Sequence, residues 1–277
     1  MTISATTGLI VLLGDPVAHS LSPALHNAAF RAQGLDLVYL ACQVEEGAVA
    51  DAMAGLHALG ARGANVTIPH KETVCRLAAE RAPEAGAVGA ANTLVRTDAG
   101  WRAHNTDVAG FLGPLAEHDL TGTEMTVLGA GGAARAVVYA LLSAYQPSRL
   151  TVASRRPGQA EALATDLAAH DARGALDARP LAEAPAARLV VNCTPLGMHG
   201  MEDLSPFSGP LGRGQIAYDL VYRPQQTRFL LDAHAHGAEA IGGLPMLIGQ
   251  AAEAYRLWTG RDMPTDLARR AALDALS

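Results

Sequence analysis

The chain has 277 residues and a mass of 28.7 kDa, with 49% hydrophobic residues and a mean hydropathy of +0.14, enough apolar material for one large or two ordinary domains and too much for a disordered chain. A formal charge of −6 and a pI near 5.9 argue against a general nucleic-acid binder or a basic membrane-surface protein, because attraction to polyphosphate requires an excess of cations. Cys42, Cys75 and Cys193 are too scattered for a disulfide framework or a thiolate zinc site, no window reaches the ~18 apolar residues of a membrane span, and MTISATTGLIVLLGDP lacks the marks of a signal peptide, so a reducing cytoplasm is the expected location.

In chain order, Leu9 to Leu13 reads as a strand, and Ser22-Pro23 opens a helix to Arg31 that stops at Gly34, with Ser22 as N-cap and Pro23 at the first helical position. Leu37 to Val44 is a second strand, Ala48 to Leu59 a helix ended by Gly60, Ala64 to Ile68 a short strand broken by Pro69, and Glu72 to Ala79 helical. Asn92 to Arg96 and Trp101 to Asn105 flank the turn cluster Thr97-Asp98-Ala99-Gly100, which predicts a hairpin at the edge of a mostly parallel sheet. A second block begins near Asp107 with a helix to about His118. It continues through strand Met125 to Leu128, helix Ala133 to Ser143, strand Leu150 to Ala153, helix Gln159 to Ala169, strands Leu189 to Asn192 and Ile216 to Leu220, and helix Gln225 to His236. Two helices, Leu244 to Trp258 and Thr265 to Leu276, follow with no strand between them and are expected to pack back on the first domain. The alternation predicts an α/β protein of two domains: residues 1–106, completed by 242–277, and a doubly wound nucleotide-binding domain of the Rossmann type over 107–241.

The turn Gly129-Ala130-Gly131-Gly132-Ala133-Ala134-Arg135 lies between a predicted strand and a predicted helix. Gly129 supplies a tight turn, Gly131 a bare backbone for a pyrophosphate, and Ala134 the small side chain that lets helix and strand close, with phosphate facing the helix N-terminus. The next strand ends in Ser154-Arg155-Arg156 where an NAD site would carry an acidic residue. A carboxylate there repels a 2′-phosphate, whereas guanidiniums clamp it, so NADP is expected over NAD. Of 21 basic residues, 20 are Arg and only Lys71 is Lys. Guanidinium stays charged at accessible pH and an ammonium can release its proton, which makes Lys71 a candidate acid or base.

Ser20 and Ser22, Asn65, Thr67, His70 and Lys71, Asn92 and Thr93, and Asn105-Thr106-Asp107 cluster at predicted strand ends, where open α/β sheets bind ligands. Hydroxyls and amides both donate and accept, which suits a small hydroxyl-rich ligand, and Ser20 and Ser22 near a helix start suit a carboxylate. Ser22 and Asp107 read equally as helix N-caps. The ten histidines show no metal-ligand spacing, so no metal is expected; His70 reads as a packing residue and Cys193 as a small buried one.

Gly14-Asp15-Pro16, His19-Ser20-Leu21-Ser22-Pro23, His26-Asn27, Asn65 to Lys71, Gly89 to Thr93, Asn105 to Asp107, Gly129 to Arg135, Asn192 to Met198, Tyr218 to Tyr222 and Gly243 to Gln250 together resemble the shikimate dehydrogenase family, in order along nearly the whole chain. The resemblance implies NADPH reduction of 3-dehydroshikimate to shikimate in aromatic amino-acid biosynthesis. It implies that Ser20, Ser22 and Tyr222 bind the substrate carboxylate, that Asn65, Thr67, Asn92 and Gln250 reach the ring hydroxyls, and that Lys71 and Asp107 form the catalytic pair. It also implies that Gly129, Ala130, Gly131, Gly132, Ala133, Ser154, Arg155, Arg156, Thr194 and Gly243 hold the cofactor. The family's Asn-Arg-Thr adenosine-phosphate motif is replaced here by Ser154-Arg155-Arg156.

On this reading Lys71 protonates the carbonyl oxygen as hydride arrives, and the Asp107 carboxylate favours its charged form. The reverse oxidation needs the neutral amine and should quicken toward alkaline pH. A shared cleft between two domains suggests hinge closure. The expected partner is a small-molecule substrate, with neither nucleic acid nor membrane, in a monomer or homodimer. The alternatives are a quinate or dual quinate/shikimate dehydrogenase, and a non-catalytic sensor of ligand and dinucleotide, which would not need Lys71 and Asp107 together.

Overall fold

The computed structural model describes residues 3–276, which form two compact units: one runs to Thr106 and resumes at Ile248, the other is Asp107–Leu247. The first holds β1 (Gly8–Gly14), α1 (Ser22–Ala32), β2 (Leu37–Gln43), α2 (Val49–Ala58), β3 (Gly63–Val66), α3 (Lys71–Leu77), β4 (Glu80–Arg81), α4 (Pro83–Val88), β5 (Thr93–Thr97) and β6 (Gly100–His104). Its sheet has the order β2-β1-β3-β5-β6-β4, with β1 parallel to β2 and β3, and the β5–β6 hairpin antiparallel. The hairpin is not the outermost pair, as the sequence suggested: the two-residue β4 lies beyond it, parallel to β6. Cores form on alternating apolar strand residues, here Val11, Leu13, Val66 and Leu94 with Met53, Val74 and Trp101 from the flanking elements.

Three local expectations are corrected. Helix α1 starts one residue before a Ser22 cap would allow: Leu21 precedes it in helical conformation, no side chain caps it, and Ser22 already lies inside. Strand β3 ends at Val66, two residues short of Ile68. The helix from Asp107, α5 (Asp107–Leu112), gives way at Gly113-Pro114 to a 3-10 turn instead of reaching His118, since Pro114 has no N–H to continue the ladder.

The second unit continues with β7 (Glu124–Leu128), α6 (Gly132–Tyr145), β8 (Arg149–Ser154), α7 (Pro157–Leu167), β9 (Leu176–Pro180), β10 (Leu189–Asn192), β11 (Ile216–Asp219), α8 (Arg228–Ala235) and β12 (Glu239–Ile241). All pairings are parallel in the order β12-β11-β10-β7-β8-β9, so the chain starts in the middle, winds outward one way, then returns and winds the other. That is a doubly wound dinucleotide fold, whose reversal point lies between β7 and β10. Strands β9 and β12 close its two edges; β9 is half-buried along most of its length and the three-residue β12 is mostly exposed, so no run of buried apolar residues revealed them.

Helix α9 (Leu244–Thr259) is divided between the units after Leu247, and α10 (Thr265–Asp274) packs on α1 as expected. Within the first unit α9 is docked by two aromatics. The Trp258 indole N–H donates to the Leu94 carbonyl at 3.0 Å, over Gly63, where a Cβ would meet the indole at 2.2 Å. Tyr255 stacks on Phe30 and donates its hydroxyl to Gln33 Oε1 at 3.0 Å.

Candidate functional site

In the second unit the glycine turn takes the form its residues demand. Gly129 has φ +109°, a conformation that favours glycine, and a Cβ there would lie 3.2 Å from the Cys193 backbone. After Ala130, Gly131 precedes α6 with open space beside its Cα, and the first helical pairing is from Arg135 N–H to Gly131 O at 3.0 Å. The N–H groups of Gly132, Ala133 and Ala134 therefore come before the ladder begins and point out of the helix end. Ala134 is fully buried, as close packing of α6 on the sheet requires.

Ser154 closes β8 with its hydroxyl accepting from Arg156 N–H at 3.3 Å, and Pro157 starts α7 directly after. Arg155 and Arg156 are exposed, and neither guanidinium has an ion pair or hydrogen bond among the described residues. Thr194 is held by Asn192, whose Oδ1 accepts from its N–H at 2.9 Å and its hydroxyl at 2.7 Å. Gly243 donates its N–H to Val221 O at 3.2 Å, and a Cβ on it would stand 2.3 Å from the Leu220 carbonyl oxygen, so no other residue fits. Tyr222, half-buried, follows Val221 directly. A glycine turn, helix N–H groups and uncommitted guanidiniums are the donor set a phosphorylated dinucleotide needs.

The first unit gathers the polar residues into one buried network. Asn65, at the end of β3, donates from Nδ2 to Asn92 O at 3.1 Å and Thr93 Oγ1 at 3.0 Å, while its Oδ1 accepts from the Tyr39 hydroxyl at 2.7 Å. With both N–H groups engaged, Asn65 offers a ligand only an acceptor lone pair. Asn92 donates to Thr106 Oγ1 at 2.9 Å and Gln250 Oε1 at 3.3 Å, and accepts from Thr106 N–H at 2.7 Å. Asp107 is joined to this network through the backbone, as the residue after Thr106; it is buried and is the first residue of α5 rather than a cap preceding it.

Thr67 is half-buried, with its N–H on Leu13 O at 2.8 Å, and Gly14 makes room for it: a Cβ there would meet Thr67 Cγ2 at 2.2 Å. Lys71 opens α3 half-buried, its carbonyl accepting from Ala91 N–H at 2.9 Å. His70 is buried and its ring bonds to Val44 O at 2.7 Å, a packing role. Ser20 Oγ accepts from Ser22 N–H at 3.3 Å at the start of α1.

Sequence reasoning overlooked Tyr39, which looked like an ordinary strand aromatic, and the carboxylate of Asp219; both lie within one hydrogen bond of expected site residues or their neighbours. Among the described residues no three His, Cys, Asp or Glu are grouped to hold a metal, and no helix is long and apolar enough to cross a membrane.

A doubly wound dinucleotide-type unit and a second α/β unit with a buried hydroxyl and amide site, in one chain, are the pattern of a two-domain α/β dehydrogenase. The comparisons with known proteins narrow this. The family model of the shikimate dehydrogenase substrate binding domain matches residues 12–94, and that of the shikimate 5′-dehydrogenase C-terminal domain matches residues 243–273. The shikimate dehydrogenase (NADP(+)) of Salinibacter ruber is 53% identical, over 100% of this chain and 99% of its own. A shikimate 5-dehydrogenase from Thermus thermophilus, solved with NADP(H) and shikimate, superposes with a TM-score of 0.84 at 38% identity, covering 97% of this chain and 99% of its own. A quinate dehydrogenase from Corynebacterium glutamicum, solved with NAD, also gives 0.84, at 31% identity over 97% of this chain and 99% of its own. The chain belongs to the shikimate dehydrogenase family.

Proposed function

We propose that the protein catalyses the reversible NADPH-dependent reduction of 3-dehydroshikimate to shikimate. The observation that carries this reading is the buried network that ties Asn65, Asn92 and Gln250 together, since it fixes acceptors and donors for a ring bearing several hydroxyls. Ser20 and Ser22, with Tyr222, hold the carboxylate; Asn65, Thr67, Asn92 and Gln250 take the ring hydroxyls. Bound NADPH supplies the hydride. The turn Gly129 to Ala133 and the start of α6 receive the pyrophosphate, Arg155 and Arg156 the 2′-phosphate beside Ser154, and Thr194 and Gly243 complete the cofactor's seat. Lys71 gives a proton to the carbonyl oxygen during reduction and recovers it in oxidation, and the Asp107 carboxylate favours the ammonium form from which that proton leaves.

Cysteines outside any disulfide, at Cys42, Cys75 and Cys193, support a cytoplasmic location, and we propose a monomer or homodimer, to be measured by light scattering. Steady-state kinetics with NADP⁺ and NAD⁺ against shikimate and quinate test the function. Shikimate with NADP⁺ should give the largest kcat/KM. Preference for quinate with NAD⁺ would move the protein to the quinate branch, and dinucleotide binding without turnover would make it a sensor.

A further inference from the structure

We infer that Asp219 is a positioning residue, whose carboxylate locks the loops carrying Thr194, Tyr222 and Gly243 into their ligand-binding form. It stands at the end of β11, wholly buried, and three donors converge on it from three segments. Asn192 Nδ2, at the end of β10, donates to Oδ1 at 2.9 Å; the Val221 N–H donates to the same oxygen at 2.9 Å; the Thr227 hydroxyl donates to Oδ2 at 2.6 Å.

Two of the donors lead directly to residues of the proposed site, and the third, Thr227, abuts the turn after β10 at Gly197. Asn192 uses its other amide atom, Oδ1, to hold Thr194, and its Nδ2 also reaches Leu196 O at 3.0 Å, so the carboxylate orients the amide that shapes the turn after β10. Val221 precedes Tyr222, and its carbonyl accepts the Gly243 N–H. Thr227 caps α8, accepting from Leu230 N–H at 3.3 Å, and its Cβ and Cγ2 lie where a Cβ on Gly197 would come within 3.2 Å. Only an acceptor with two oxygens satisfies all three donors at once, which a neutral hydroxyl or apolar residue does not. Burial pushes the carboxyl up to about 6 despite those donors, so a charge is kept at this point against its desolvation cost. A knot needed only for packing has cheaper apolar solutions.

The inference rests on the function proposed above, and it is tested with Asp219→Asn, Thr227→Val and Thr227→Ser in the full chain. An amide keeps an acceptor for Asn192 and Val221 but turns N–H toward Thr227, while valine deletes the hydroxyl and serine retains it. Asp219→Asn and Thr227→Val should each raise KM for NADP⁺ and for shikimate about tenfold, the effect of losing one charge-assisted hydrogen bond, with kcat within about threefold of wild type. Thr227→Ser should restore both KM values, and the Asp219→Asn/Thr227→Val double variant should be no worse than either alone. Unchanged KM values with a lowered Tm, or a loss confined to kcat, would overturn the inference. If Asp219→Asn does not fold, the Thr227 pair decides the matter. Should the wild type bind NADPH without oxidising shikimate, the functional reading fails, and NADPH titration by fluorescence alone decides the role of Asp219: about tenfold weaker binding in Thr227→Val, recovered in Thr227→Ser, upholds it.

Discussion

Replacing Asn92 by leucine keeps the branched four-atom shape of the side chain, with bulkier methyl ends, and deletes both polar ends of its amide. The Thr106 N–H, 2.7 Å from Asn92 Oδ1 and in a residue 2% exposed, is then buried without its acceptor. The hydroxyls of Thr93 and Thr106 lose the same oxygen but lie 3.2 Å apart and can pair with each other, so the irreducible loss is one backbone donor. A buried donor left unpaired costs about 1–3 kcal/mol. At about 2–4 °C per kcal/mol for a protein of this size, Asn92→Leu should lower Tm by roughly 2–12 °C. Thr106→Val is the control: it keeps the backbone bond, removes only the hydroxyl, and should cost about 1 kcal/mol. Because Asn92 also orients Gln250, Asn92→Leu should reduce kcat/KM for shikimate by at least about a hundredfold. Thermal unfolding followed by circular dichroism and steady-state assays of both variants give the comparison. An Asn92→Leu protein that melts with the wild type would show that the network is no structural hub, and one that keeps its kcat/KM would show that it is no substrate site.

Lys71→Arg keeps the charge without accessible proton release and should lower kcat at least about a hundredfold with NADPH affinity little changed; Asp107→Asn should lose activity with Tm unmoved, whereas a lowered Tm with activity kept would make it structural. Arg155→Ala/Arg156→Ala should raise KM for NADP⁺ by roughly ten- to a hundredfold and leave KM for NAD⁺ alone, and an equal effect on both would refute the 2′-phosphate assignment. His26 is fully buried, neither ring nitrogen has a partner, and burial pulls its pKa from 6.5 down to about 3. Between those values the unfolded chain binds the extra proton, so stability falls as pH drops through that window, by up to about 1.4 kcal/mol per pH unit. Asp219, raised to about 6, acts in the opposite sense, its contribution declining as pH rises from the ordinary carboxylate range to that value. His26→Phe removes the first effect alone, so urea melts between pH 6.5 and 5 should show a shallower acid loss than wild type; identical limbs would refute it.

Most strands and helices were legible because burial imposes a period. β1 and β10 are nearly unbroken apolar runs, β2, β7, β8 and β11 are rich in apolar and β-branched residues, and α6 and α9 repeat apolar residues around a helix between glycine or proline signals. Strands β4 and β12 escaped notice because they are two and three residues long and mostly exposed, and β9 because it is only half-buried, so no periodic burial marks them. Within the site, residue types were readable but partnerships were not. That Asn65 spends both N–H groups on Asn92 and Thr93 while its oxygen accepts from the Tyr39 hydroxyl depends on segments brought to it by the sheet, and nothing local to Asn65 signals it. Likewise Asp219 sits in an unremarkable strand end until Asn192 and Thr227 are brought to it by the fold.

The single lysine at the first position of α3 also offers an experimental handle. Reductive methylation with isotopically enriched formaldehyde would place a carbon label on one side-chain amine and on the α-amino group, giving two NMR resonances, of which the lysine's moves with pH as that nitrogen titrates. The proton donor proposed above can then be watched without assigning a crowded spectrum, because arginine holds the other 20 basic positions.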